Sequence, residues 1–313
     1  MAKSIRDIYG DTLAELGAEN PDIVVLDADL SGSTKSKVFG QKFPDRFFNM
    51  GIAESDMVAC AAGLATTGKI PFVNTFTVFL TTLGLISARA QVCYGNLNVK
   101  LAGAYCGMSD ALDGATHHAT EDIAVMRSLP NLRVVVPSDP ASARWATRWA
   151  AETQGPVYLR LSRSEYPELY PAGTVFEPGK GRIVREGRDC TVFAIGLMVH
   201  KALEAAELLK DKGIDVQVVC DFLLMLVVCV AADHVVRRRA QSAGDVSVRT
   251  TFATQLFVVA VLVHCVVQAG SFVVITRTAE QAADIDMGEE LAYLGGRLTD
   301  EVDDARLVAE ALG

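Results

Sequence analysis

Between residues 23 and 161, short apolar runs alternate with stretches of helical apolar spacing, and this alternation constrains the fold more than any other property of the chain. The runs at 23–26, 46–50, 70–75, 99–104, 132–136 and 157–161 have strand length. The stretches at 4–16, from Glu54 onward, 79–92, 121–129 and 141–152 have helical spacing, and Ser4 is placed to cap the first. Strand-helix alternation of this kind predicts an α/β fold: a parallel sheet covered on both faces. In such sheets, ligands bind beyond the carboxyl ends of the strands. The polar loop at 28–36 follows the first strand, so it is one candidate ligand loop.

With 313 residues the chain exceeds what one core usually serves, so two domains are expected. Residues 164–181 contain three prolines and three glycines with no periodicity, and read as a linker between a domain over 1–163 and a smaller α/β domain over 182–313. In that second domain, strands are expected at 191–195 and 216–219 around a helix at 200–209. The net charge of -9, with Arg237, Arg238 and Arg239 as the only basic triplet, argues against a nucleic-acid partner. Seven cysteines without paired spacing read as small buried hydrophobes in a reducing compartment. The first ten residues lack the apolar core of a signal peptide, so a cytoplasmic location is expected. Residues 256–276 are uncharged and long enough to span a membrane. His264, Gln268, Gly270 and Ser271 interrupt them, and their valine content suits buried strands, so no membrane partner is expected.

Two places carry chemistry beyond what a plain scaffold needs. Glu54 stands after Gly51 and ahead of the small-residue run Ala59, Cys60, Ala61, Ala62 and Gly63, while Asp56 would point elsewhere on a helix. A buried acid here could hydrogen-bond a ring nitrogen of a ligand. A glutamate in a first helical turn is also favoured by the helix dipole alone. The loop from Ala104 to Glu121 gathers Asp113, Thr116, His117 and His118 between glycines, and long loops of this kind usually serve function. Solvated histidines on a surface loop are the plain alternative. Adjacent histidines converge poorly on a metal and no third ligand has matching spacing, so no metal site is expected.

The stretches SIRDIYG (4–10), DADLSGS (27–33), NMGIAESDMVACAAGLATTGKIPFVNTFTVFL (49–80), NLNVKLAG (96–103), LDGATHHATEDIAVMRSLPNLRVVVPSDP (112–140) and VYLRLSRSEYP (157–167) together resemble the C-terminal half of transketolases, in particular the small subunit of two-component forms. The resemblance covers residues 4 to about 220. It implies a parallel-sheet pyrimidine-binding domain followed by a smaller α/β C-terminal domain, and transfer of a two-carbon ketol unit between sugar phosphates with thiamine diphosphate. It further implies that Glu54 bonds N1′ of the cofactor pyrimidine and takes part in the proton relay. Phe76 and Phe79 would pack on that ring from one helical face, and Asp29 would be a cofactor-side carboxylate. Asp113 and His117 would meet the sugar hydroxyls, with His117 also near the phosphate and counted with Glu54 as catalytic, and Arg6, Ser33 and Arg163 would hold the phosphate.

The chain departs from the family in two places. Tyr105 stands where a histidine is usual, and after residue 220 the expected Glu-His dipeptide and glycine pair are missing. No GDG motif occurs, so the resemblance implies a larger partner subunit carrying Mg²⁺ and the diphosphate, with self-association across a dimer interface. The small subunit of a 2-oxoacid dehydrogenase, a deoxyxylulose phosphate synthase and a non-catalytic assembly subunit are the alternatives.

Overall fold

A computed structural model describes residues 3–109, 112–220 and 273–277. The chain opens with β1 (Lys3–Ser4), α1 (Ile5–Glu19), β2 (Ile23–Asp27), α2 (Ser31–Thr34), α3 (Lys37–Lys42) and β3 (Phe47–Asn49). Next come α4 (Glu54–Thr66), β4 (Ile70–Phe76), α5 (Thr77–Thr82), α6 (Leu85–Ser87), a π-helical segment Ala88–Cys93, β5 (Lys100–Ala104) and α7 (Asp122–Arg127). The remainder is β6 (Arg133–Val135), α8 (Pro140–Glu152), β7 (Val157–Leu161), β8 (Glu165–Tyr166), β9 (Arg182–Arg185), β10 (Cys190–Ala194), α9 (Met198–Lys210), β11 (Val216–Cys220) and β12 (Val273–Arg277).

The alternation folds as expected. Six strands pair in the order β3-β2-β4-β5-β7-β6, all parallel. The inner strands β2, β4, β5 and β7 are short and largely apolar because both their faces are covered, whereas the edge strand β3 is partly exposed. One face packs Val24, Leu26, Val73 and Leu101 against Met57, Val58 and Ala61 of α4 and Ile123 and Met126 of α7. The other packs Ile23, Val25, Phe72 and Leu159 against Ile5, Tyr9 and Leu13 of α1 and Ala143, Ala146 and Ala150 of α8. Ser4 does cap α1, its side chain accepting from the Asp7 amide, and Asp139 and Ser142 form a capping box on α8.

A second sheet has the order β12-β10-β11-β9, with β10 and β11 parallel and β9 antiparallel to β11. Its core gathers Phe176, Ala194, Val199, Ala206, Val216 and Val218. It is fastened to the end of β6, where the Ser138 carbonyl accepts from His200 Nε2 at 2.7 Å. Asp139 Oδ2 also accepts from the amides of Leu169 and Tyr170 at 3.1 and 2.9 Å. The stretch 164–181 is therefore more ordered than its composition suggests. Within it, β8 pairs antiparallel with β1, a two-residue pairing too short to leave a period in the sequence.

Other expectations need correction. The helix expected over 79–92 is broken into α5, α6 and the π segment, with the interruption at Gly84, where an added Cβ would lie 3.0 Å from the Leu80 carbonyl oxygen. Cys60 is exposed, since it lies on the outer side of α4, whereas Cys93, Cys106 and Cys220 are buried. Lys100 is buried inside β5, where its ammonium donates to Asn98 Oδ1 and to the Thr153 and Gly155 carbonyls at 2.6, 2.6 and 2.7 Å. Burial, with the Arg133 charge, pushes its pKa down to about 7. Cys229, Cys265, the arginine triplet and most of 256–276 lie outside the described residues, as does the expected domain beyond residue 220 except for β12. No described helix is long and apolar enough to cross a membrane.

Candidate active site

Because β2, β3, β4, β5 and β7 run parallel, their carboxyl ends share one edge of the sheet, and the candidate residues follow those ends. Asp29 and Ser33 come after β2, Glu54 after β3, Phe76 and Phe79 at the end of β4, Tyr105, Asp113 and His117 after β5, and Arg163 after β7. Arg6 joins them from the first turn of α1, where its amide donates to the Ser162 carbonyl just beyond β7.

Glu54 is the first residue of α4 and only 3% exposed. Gly51 turns the chain from β3 into the helix at φ +71, a conformation that glycine adopts without a Cβ penalty. Thr75 Oγ1 donates to Glu54 Oε1 at 3.2 Å, tying the carboxyl to the carboxyl end of β4. Asp56 is exposed, as its helical position requires.

Thr75 and Phe76 point to opposite faces of β4, so the acid and the aromatic wall flank the end of the same strand. Phe76 and Phe79 stack with centroids 5.9 Å apart and planes at 16°. They do not share a helical face: Phe76 is extended, closes β4 and precedes α5, while Phe79 lies within α5. The pairing survives because the strand-to-helix turn brings the two rings together. His117 meets both rings edge-on at 6.0 and 5.4 Å, and its Nδ1 is 3.0 Å from Thr116 Oγ1.

Tyr105 lies on Phe76 with centroids 4.1 Å apart, and its hydroxyl accepts from Arg6 Nη1. The same Nη1 donates to the Ser33 carbonyl at 2.9 Å, and the Arg163 guanidinium carbon stands 5.3 Å from the Tyr105 ring centre. Arg6, Ser33, Arg163, Tyr105, Phe76, Phe79 and His117 thus form one contiguous set of contacts. Asp113 and Asp29 do not join it: Asp113 is exposed on its loop, and Asp29, also exposed and at φ +62, accepts from Asn49 Nδ2 at 2.8 Å.

Two buried acids beneath the site lacked any site signal of their own in the sequence. Asp27, at the end of β2, accepts from the Leu30 amide at 2.6 Å, Thr34 Oγ1 at 2.8 Å and Ser36 Oγ at 2.7 Å, shaping the loop that carries Ser33. Burial, and to a lesser degree the Asp29 charge, pushes the Asp27 carboxyl above its usual range against those donors. Asp122, at the head of α7, accepts from Arg160 Nε and Tyr158 Oη at 2.7 and 2.8 Å on one oxygen and from Arg160 Nη2 at 3.1 Å on the other. Burial works against the Arg160 charge, but the carboxylate beside it prevails and holds the guanidinium protonated well above the usual arginine range. Above this pair, Gly107 and Ala119 exchange two backbone hydrogen bonds of 3.0 Å, closing the base of the loop that carries His117. The signal that could have found the pair is an arginine inside the apolar strand VYLRL.

Residues 1–168 match the family model described as the pyrimidine-binding domain of transketolase, and residues 179–222 match that of the transketolase C-terminal domain. The chain is 45% identical over 219 residues to a putative transketolase C-terminal section of Methanocaldococcus jannaschii, covering 69% of each chain. It is 40% identical to the 6-deoxy-6-sulfo-D-fructose transketolase subunit SqwH of Clostridium sp., covering 68% of this chain and 66% of that one. Against human transketolase the identity is 38%, over 70% of this chain but only 35% of the longer protein. A solved structure described as a split gene transketolase, inactive beta4 tetramer, superposes with a TM-score of 0.66 at 49% identity, covering 72% of this chain and 73% of that one.

Proposed function

The chain belongs to the transketolase family, and from that premise we propose that it is the small, pyrimidine-binding subunit of a two-component enzyme that moves a two-carbon ketol unit between sugar phosphates. The observation that carries this reading is the buried Glu54 at the head of α4, tied to Thr75, at the same strand end as the wall of Phe76, Phe79 and Tyr105. A flat heteroaromatic ring that must accept a hydrogen bond at its edge and be packed on its face fits that donor set.

When bound, thiamine diphosphate supplies the thiazolium electron sink that lets a bond beside a carbonyl break and re-form. Glu54 would hold the proton at N1′ of the pyrimidine, and its burial keeps water from competing for that bond. Phe76 and Phe79 would orient the ring by stacking. Arg6, Ser33 and Arg163 would bind the phosphate end of the sugar, with His117 and Asp113 on its hydroxyls; Asp113 would have to turn inward from its exposed position. Asp29 would serve the cofactor side from the β2 loop. In this reading the pyrimidine-binding domain spans 1–163 and the C-terminal domain follows the 164–181 linker, in a cytoplasmic enzyme.

The chain spans about a third of full-length transketolases, and its sequence contains no GDG motif. On this reading the diphosphate and Mg²⁺ are assigned to a larger partner subunit, in keeping with relatives named as a transketolase section and a transketolase subunit. The relative described as an inactive beta4 tetramer is in keeping with a small subunit that assembles without completing a site. Mixing this chain with its larger subunit, thiamine diphosphate and Mg²⁺ should give ketol transfer from a ketose phosphate to an aldose phosphate, with neither subunit active alone. Transfer by this chain alone would overturn the two-component reading. No transfer by any pairing would favour an assembly role.

A further inference from the structure

Glu54 begins α4 behind Ala53, which supplies no side-chain cap, so the first-turn amides of the helix remain as donors toward which a free carboxylate can turn. A carboxylate drawn back onto its own helix presents no oxygen to a ring at the strand ends. Thr75 opposes that turn. Its hydroxyl donates to Glu54 Oε1 at 3.2 Å, and among the described residues no other group bonds this carboxyl. Oε1 is thereby occupied, and Oε2 is the oxygen left for a ligand.

The donor is itself firmly held. Thr75 is fully buried in β4, a strand paired on one side with β2 and on the other with β5, where Thr75 lies opposite Gly103. A β-branched side chain on such a strand has few χ1 choices, which restricts the direction of the hydroxyl. Val73, two residues earlier on the same face, packs in one cluster with Met57 and Val58 of α4, so strand and helix keep a fixed separation where Thr75 meets Glu54. Phe76 follows on the opposite face, and one peptide unit thus joins the donor that aims the acid to the first ring of the aromatic wall. We propose that Thr75 is a positioning residue for Glu54: its hydroxyl holds one carboxyl oxygen so that the other faces the edge of a heteroaromatic ring packed on Phe76 and Phe79. The proposal rests on the reading above, in which Glu54 bonds the cofactor pyrimidine. Thr75 acts through Glu54 and takes no part in proton transfer itself.

Three forms of the full chain, each paired with the larger subunit, test this: wild type, Thr75→Val and Thr75→Ser. Valine keeps the branched shape and removes the donor, whereas serine keeps the donor and gives up a buried methyl. Calorimetric titration with thiamine diphosphate and Mg²⁺ should show the Thr75→Val complex binding about two- to tenfold more weakly than wild type, the net worth of one hydrogen bond. Its kcat should fall about tenfold or more, within the ~10² that a displacement of ~1 Å can cost a catalytic group. Thr75→Ser should restore both values to near wild type despite its poorer packing, which a purely structural role for residue 75 does not predict. Where Thr75→Val fails to assemble, Thr75→Ala against Thr75→Ser, which differ by one hydroxyl, decides in the same way. A Thr75→Val complex equal to wild type in affinity and kcat, or a Thr75→Ser complex as impaired as Thr75→Val, overturns the proposal and leaves the proposed function standing. No gain in cofactor affinity from the wild-type chain removes the proposed function, and this proposal with it.

Discussion

Glu54→Gln, measured in the reconstituted two-subunit enzyme, should lower kcat by about 10²–10⁴, the range that a positioned proton-transfer group contributes. Glutamine fills the same volume at the head of α4 and can still accept from Thr75 Oγ1, so the denaturation midpoint should stay near that of the wild-type chain. The amide cannot exchange a proton with a ring nitrogen, so the loss should fall on turnover and not on assembly. A variant that keeps most of the wild-type rate would remove Glu54 from the relay and leave it as a helix-terminal residue favoured by the dipole.

Asp122→Ala should be the most destabilising single change among the described residues outside the hydrophobic clusters. It removes the carboxylate to which the buried Arg160 guanidinium and the Tyr158 hydroxyl both donate. Removing one partner of a buried ion pair costs about 3–5 kcal/mol, because the remaining charge is left uncompensated. Urea unfolding of the full chain reads this directly, and a loss below about 1 kcal/mol would show that water or a rearranged side chain takes over the arginine. Asp122→Ala combined with Arg160→Met should recover part of the loss, since an apolar pair leaves no buried charge. The consequence reaches the site because Asp122 sits one turn beyond the loop that positions His117, and that loop is closed at its base by Gly107 and Ala119.

The parallel sheet was legible because strands buried on both faces leave uninterrupted apolar runs, and the helices between them keep an apolar stripe. Glu54 was legible as a carboxyl in an apolar setting, and the structure buries it. The relation of Phe76 to Phe79 was read as helical spacing. The structure stacks the rings by a different route, through a strand end turning into a helix. A spacing of three residues cannot separate the two, since local periodicity carries no information on where a strand stops. The break at Gly84 escaped for the same reason. The contacts of Tyr105 with Arg6, 99 residues away in the chain, and of Asp122 with Arg160 are non-local, and only the sheet order brings their strands together. The seating of residues 164–181 against Asp139 is likewise tertiary: amides accepted by one carboxylate leave no compositional trace.

The central claim is that this chain supplies the pyrimidine side of a shared thiamine diphosphate site. Titrating thiamine diphosphate, with Mg²⁺ present, into the larger subunit alone and then into its complex with this chain tests that claim most directly. A ring bonded by Glu54 and packed on Phe76 and Phe79 should bind at least about tenfold more tightly in the complex, a difference of about 1.4 kcal/mol. An affinity unchanged by adding this chain would contradict the account.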